Sequence, residues 1–175
     1  MNLSLLYLFP IFLVFSFLFL FFSGKILFRQ TVAKKLLVLK SSVDYGNASY
    51  EDFFLLGQIF LQKKDYNECI KNFISSLSNW DPNDKLGIAC CLNTLGVTYF
   101  KIGEYEYAYY YYSEALKIFP NYLKALDNLA LLYEMRREDE QACLLYQKLW
   151  HLDKTNQRSR DKFLRLKRKY NSFLD

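Results

Sequence analysis

From Leu3 to Phe22 the chain offers no polar face: it reads LSLLYLFPIFLVFSFLFLFF, and residues 2–24 carry no charge. A helix rising about 1.5 Å per residue crosses the roughly 30 Å hydrocarbon core in about twenty residues. Sixteen of these twenty are Leu, Phe, Ile or Val. On an insertion scale such a run favours the bilayer by roughly 5 to 10 kcal/mol. Pro10 bends such a helix without preventing insertion. A cleaved signal peptide is the competing reading. It wants a basic start, an apolar core of about 7–15 residues and a small-residue cleavage site. This run is longer, and only the N-terminal amine precedes Leu3, so an uncleaved anchor over 1–24 is the expectation.

Beyond the apolar run the pattern becomes amphipathic. Residues 25–49 read as a basic helical neck that ends at DYGNAS, where Gly46 and Asn47 break the periodicity. Asn47 or Ser49 is placed to cap the helix that follows. From residue 50 the chain repeats itself. Aligning Gly57, Gly96 and Ala130 as position 8 gives units at 50–83, 89–122 and 123–156. The second unit sets Leu92, Leu95, Gly96 and Tyr99 at positions 4, 7, 8 and 11, then Ala108, Tyr112, Ala115 and Pro120 at 20, 24, 27 and 32. The first matches with Phe53, Leu56, Gly57, Phe60, Cys69, Phe73 and Ser76, and the third with Leu126, Leu129, Ala130, Tyr133, Ala142, Tyr146 and Leu149. This register resembles the tetratricopeptide repeat, in which each unit is a pair of antiparallel helices. Small residues at 8 and 20 let the pair cross closely, and large ones fill the space to the next pair. The turns inside the pairs fall at KKDYNE (63–68) and IGEYEY (102–107), where Gly103 suits a helix stop.

Three departures refine this outline. Residues 84–88 (DKLGI) are inserted between units one and two, and read as a longer first helix or a loop rather than a widened groove. Lys154 replaces the terminal proline of unit three, which implies that the next helix runs on more directly. Residues 157–175 then read as a basic capping helix. Phe163, Leu166 and Tyr170 form one stripe against the last repeat, and Arg158, Lys162, Arg165 and Lys169 lie on the opposite face. That basic face is either solvated or a contact for lipid headgroups or an acidic protein.

Charge and composition narrow the chemistry. The formal charge of +5 is segregated: residues 25–49 hold five bases and one acid, residues 157–175 seven bases and two acids, and residues 50–156 are net acidic. The basic flank behind the apolar run orients the anchor with the remaining chain on the cytoplasm-equivalent side. No nucleic-acid motif accompanies the basic ends. The four cysteines, Cys69, Cys90, Cys91 and Cys143, have no CxxC spacing, and His151 is the only histidine. Metal binding, redox work and nucleophilic catalysis therefore have no ligand set or triad to stand on, and no cofactor is expected.

The expected working surface is the concave face lined by the first helix of each repeat, at positions 2, 5, 6, 9, 12 and 13. It includes Phe54 and Gln58 from the first repeat, Asn93, Val97, Phe100 and Lys101 from the second, and Lys124, Asp127, Asn128, Leu131, Glu134 and Met135 from the third. Amides there suit the backbone of an extended peptide, and Phe54, Phe100 and Met135 offer apolar anchors. Tetratricopeptide domains that grip chaperone tails use a basic and amide clamp. Here Phe54, Gln58 and Thr94 depart from it and only Lys124 matches, so that ligand is not expected.

The whole arrangement resembles the small thylakoid-anchored tetratricopeptide proteins of cyanobacteria and algal plastids that assist photosystem I assembly or stability. The shared features are one N-terminal span, three repeats, a basic terminal helix, similar length and a composition rich in Phe, Tyr, Asn, Lys and Ile. The resemblance implies an all-α scaffold without catalytic residues. It further implies a thylakoid location, with the repeats facing the stroma, and photosystem I subunits or assembly intermediates as clients. A general membrane adaptor for protein import, envelope maintenance or division is the alternative, and nothing in the sequence fixes the oligomeric state.

Overall fold

The anchor over 1–24 and the neck over 25–49 are separate elements in the sequence pattern, but in the computed structural model, which describes residues 3–171, they join. Helix α1 spans Leu3–Asp44, 42 residues, so the apolar run and the basic neck are a single uninterrupted rod. At about 1.5 Å per residue it is about 63 Å long. Its side chains from Phe12 to Phe22 are exposed almost throughout, and by length and composition the helix is able to cross a membrane. It ends where the sequence pattern breaks: Gly46 adopts φ 72°, in the left-handed region. The chain divides into two compact units, Met1–Ala48 and Ser49–Asp175.

The described residues of the second unit form three helix pairs and a closing helix: α2 (Tyr50–Lys63) with α3 (Tyr66–Ser78), α4 (Lys85–Lys101) with α5 (Tyr105–Ile118), α6 (Leu123–Met135) with α7 (Asp139–Leu152), and then α8 (Gln157–Asn171). With 13 to 17 residues apiece, each is marginal alone and depends on stacking against its neighbours. Ser49 caps α2. Its hydroxyl accepts from the Asp52 amide while the Asp52 carboxylate accepts from the Ser49 amide, closing a capping box. The inserted residues 84–88 lengthen α4 at its start, and Asp84 caps it by accepting from the Gly87 amide at 2.8 Å.

The core follows the repeat register. Position 24 supplies a fully buried ring in every repeat, Phe73, Tyr112 and Tyr146. The glycine at position 8 lies against that ring: a Cβ added to Gly57 would stand 2.7 Å from Phe73, and one added to Gly96 2.5 Å from Tyr112. The close approach therefore sets the glycine against the position-24 ring and, at Gly96, also against Ala108 of position 20, whose carbonyl oxygen would lie 3.2 Å from the added Cβ. Position 15 turns each pair back on itself through a left-handed residue, Lys64 (φ 61°), Gly103 (φ 87°) and Arg137 (φ 63°).

The absence of a proline in repeat three does not let the chain run straight on. Helix α7 stops at Leu152. Asp153 Oδ1 then accepts from the Thr155 amide and hydroxyl, and Asn156 caps α8 by accepting from the Ser159 amide at 3.0 Å. Local side-chain hydrogen bonds impose the turn that proline imposes elsewhere.

Helix α8 keeps half of a repeat. Counting Gln157 as position 1, its positions 3, 7 and 10 are Ser159, Phe163 and Leu166, all buried like Ala125, Leu129 and Leu132 of α6. Positions 4, 8 and 11, which would face a second helix, are Arg160, Leu164 and Lys167, of which Arg160 and Lys167 are exposed. Among the described residues it is a first helix with no second helix packed on it, and it covers the third repeat.

Candidate functional site

The first helices α4 and α6 lie side by side and form a cleft of about 330 Å³ lined by Val97, Phe100, Lys101, Tyr112, Asn128 and Leu131. Val97, Phe100 and Leu131 give it apolar walls. Lys101 is exposed at one end, and Asn128 is half-buried. The Asn128 amide donates to Asn93 Oδ1 at 2.8 Å, which ties α6 to α4 and leaves one Asn128 N–H for another acceptor. Phe100 is braced by an edge contact with Tyr105, at 5.5 Å between ring centroids.

The structure thus brings Val97, Phe100, Lys101 and Asn128 together and distributes the other expected contacts around them. Asn93 is buried beneath Asn128 as its acceptor. Phe54 packs on Phe73 at 5.5 Å and on Trp80 at 5.4 Å, so its ring is engaged within the first repeat. Gln58 is half-buried, Lys124 is exposed in the first turn of α6, and Met135 is exposed at its end. None of these four lines the cleft.

Of the seven bases of α8, the four expected on its basic face, Arg158, Lys162, Arg165 and Lys169, have acidic partners inside the chain. Lys162 lies 2.5 Å from Glu134, Arg165 also pairs with Glu134, Arg158 is 3.8 Å from Asp127, and Lys169 pairs with Asp139. Glu134 further accepts from the Tyr146 hydroxyl at 3.0 Å. Burial opposes its ionisation, but the hydrogen bonds from Lys162 and Tyr146 and the charges of Lys162 and Arg165 hold its carboxyl below the ordinary glutamate range. The basic face is thereby directed at acids of repeat three.

Sequence reasoning missed two participants. Tyr112 reads as core by register, yet it forms part of the cleft. The signal available was its hydroxyl, which a buried tyrosine must place somewhere. Glu134 was legible only as one concave position among six, although an acid opposite a run of bases is a pairing signal. Burial raises the Cys69 thiol and pushes Cys91 up to about 12, so neither of these two is a thiolate at neutral pH.

The comparisons agree with this architecture. Residues 50–121 match a family model described as tetratricopeptide repeat. A Guillardia theta protein named "Uncharacterized protein ycf37" is 35% identical over 160 residues, covering 91% of this chain and 90% of its own length. The Arabidopsis thaliana tetratricopeptide repeat domain-containing protein PYG7, chloroplastic, is 27% identical over 136 residues, which are 78% of this chain and 45% of that protein. Among solved structures, the tetratricopeptide domain of Arabidopsis OM64 shares the fold at a TM-score of 0.60 and 14% identity, over 69% of this chain and 96% of that one.

Proposed function

The chain belongs to the Ycf37 family of tetratricopeptide-repeat proteins, and from that premise we propose that it is a membrane-tethered scaffold that assists photosystem I assembly or stability by holding a protein client on its concave face. Residues 1–24 anchor the chain, residues 25–49 form the neck, and the repeats face the stroma or cytoplasm from the thylakoid membrane. The observation that carries the reading is the union, on one polypeptide, of an exposed apolar helix able to cross a bilayer and a helical stack with an open cleft. Confinement to the membrane raises the effective concentration of membrane-bound clients without adding contacts. The basic residues Lys25, Arg29, Lys34 and Lys35 support the orientation, since positive flanks stay on the cytoplasm-equivalent side. The plastid location is supported by the Arabidopsis relative, whose name places it in the chloroplast. The photosystem I role rests on the family resemblance drawn from the sequence.

The decisive experiment removes the gene and measures photosystem I accumulation against photosystem II in the same thylakoids. A selective fall in photosystem I is expected. Normal levels of both, with cross-links from the repeats to proteins unrelated to photosynthesis, would transfer the scaffold to a general adaptor role. Carbonate washing and protease protection check the tether: the chain should resist extraction, and its repeats should be digested from the stromal side only.

A further inference from the structure

Position 24 carries an aromatic ring in all three repeats, but its polar tip is treated differently in each. Phe73 has no hydroxyl. Tyr146 donates to Glu134 Oε2 at 3.0 Å, and Lys162 Nζ lies 2.5 Å from the same oxygen and 3.1 Å from the Tyr146 hydroxyl. There the molecule displays a complete set: tyrosine hydroxyl, carboxylate and cation, joined at the concave side of repeat three. Tyr112 occupies the same register one repeat earlier and is 1% exposed. Among the described residues its hydroxyl meets no hydrogen-bonding partner. Phe100 stands at the position of Glu134, and Asn128 stands at the position of Lys162 in the following first helix. This second set thus lacks both the carboxylate and the cation at their register positions, and Lys101, which lines the same cleft, supplies a cation from another position.

We propose that Tyr112, Lys101 and Asn128 form a subsite for an acidic side chain of the client, collared by Val97, Phe100 and Leu131, which take the apolar residues on either side of it. This deepens the concave-face reading given above and rests on it. The Tyr112 hydroxyl is not sealed inside the core but borders the cleft, so an arriving carboxylate reaches it and takes its hydrogen bond in place of water. Burial also keeps the Tyr112 phenol protonated well above neutral pH, so it acts as a donor. The second Asn128 N–H and the Lys101 ammonium supply the remaining donors, and the exposed Lys101 charge disfavours a basic client side chain. Apolar walls suit an acidic residue inside a segment better than a chain end, whose terminus would leave one wall bare.

The test uses the full chain in nanodiscs and two pools of labelled nonapeptides, acetylated and amidated, with Leu, Phe, Val or Ala around a fixed central Glu or Gln. The Glu pool should bind at least about tenfold more tightly than the Gln pool, the size of a charged hydrogen bond. Tyr112→Phe, which keeps the packed ring, should erase most of that preference, as should Lys101→Gln. Tyr146→Phe should leave it intact, because that hydroxyl is already engaged by Glu134. Melting curves confirm that the variants are folded. Equal binding of both pools that Leu131→Asp abolishes, or a preference that survives Tyr112→Phe, overturns the subsite and leaves the concave reading standing. No binding of either pool overturns both. A preference that appears only when the C-terminal amide is removed overturns the side-chain source.

Discussion

Glu134 of α6 and Lys162 of α8 meet at 2.5 Å, and around that pair the terminal helix is fastened to the third repeat. Arg165 and the Tyr146 hydroxyl converge on the same carboxylate. The Glu134 and Lys162 side chains are 21% and 20% exposed, so the pair lies between a surface ion pair and a buried one. Glu134→Gln should destabilise the chain by about 1–2 kcal/mol at neutral pH, measured by urea unfolding. The carboxyl is held below its ordinary range in the folded state, so its contribution is complete above that range. It is lost as pH falls through the depressed value, and the gap between Glu134→Gln and the parent should close there. A gap that persists in acid would assign the effect to packing.

Gly96→Ala tests the approach of helix to ring. Its new Cβ would stand 2.5 Å from Tyr112 and 3.2 Å from the Ala108 carbonyl oxygen, whereas at Gly57 the three nearest atoms all belong to the flexible Phe73 ring, starting at 2.7 Å. Overpacking costs about 1–3 kcal/mol, offset by the roughly 1 kcal/mol that alanine gains over glycine in a helix. Thermal melting should rank Gly96→Ala below Gly57→Ala, with a net loss of about 1–2 kcal/mol for the former.

The left-handed turn at position 15 predicts opposite signs for opposite substitutions. Gly103→Ala should cost about 1 kcal/mol through backbone strain alone, because nothing lies within 4 Å of the added Cβ. Lys64→Gly and Arg137→Gly relieve similar strain at φ 61° and 63°. They also loosen the unfolded chain, so each should change stability by less than about 1 kcal/mol, towards gain. Denaturant midpoints of the three variants decide it.

Ser159→Ala should be neutral or stabilising, by up to about 1 kcal/mol. Ser159 is fully buried where α8 meets the preceding pair, and among the described residues its hydroxyl has no partner. Removing an unsatisfied group relieves its desolvation cost. A clear loss of stability in unfolding measurements would mean that the hydroxyl is bonded after all.

Phe54 shows where reading the sequence stopped short. Its position on a concave row was legible, but Trp80, which follows α3, turns back onto it, so the ring serves the first repeat. The bases of α8 were legible as a face, and their partners were not: Glu134 lies 28 residues from Lys162. The turn at residues 153–156 needs no proline, because Asp153 and Asn156 carry an equivalent stop signal in their side chains.

The order of amino acids by itself determined the long apolar helix, the three helix pairs, their register and the closing helix. These follow from helical periodicity and from small and large residues at fixed spacing, both of which act over a few residues. Only the tertiary structure decided that Asn128 would meet Asn93 across 35 residues, that Glu134 would satisfy Tyr146, and that Tyr112 would line an open cleft. Those outcomes depend on the angle at which one pair stacks on the next, which is set by the packing of all the buried side chains at once.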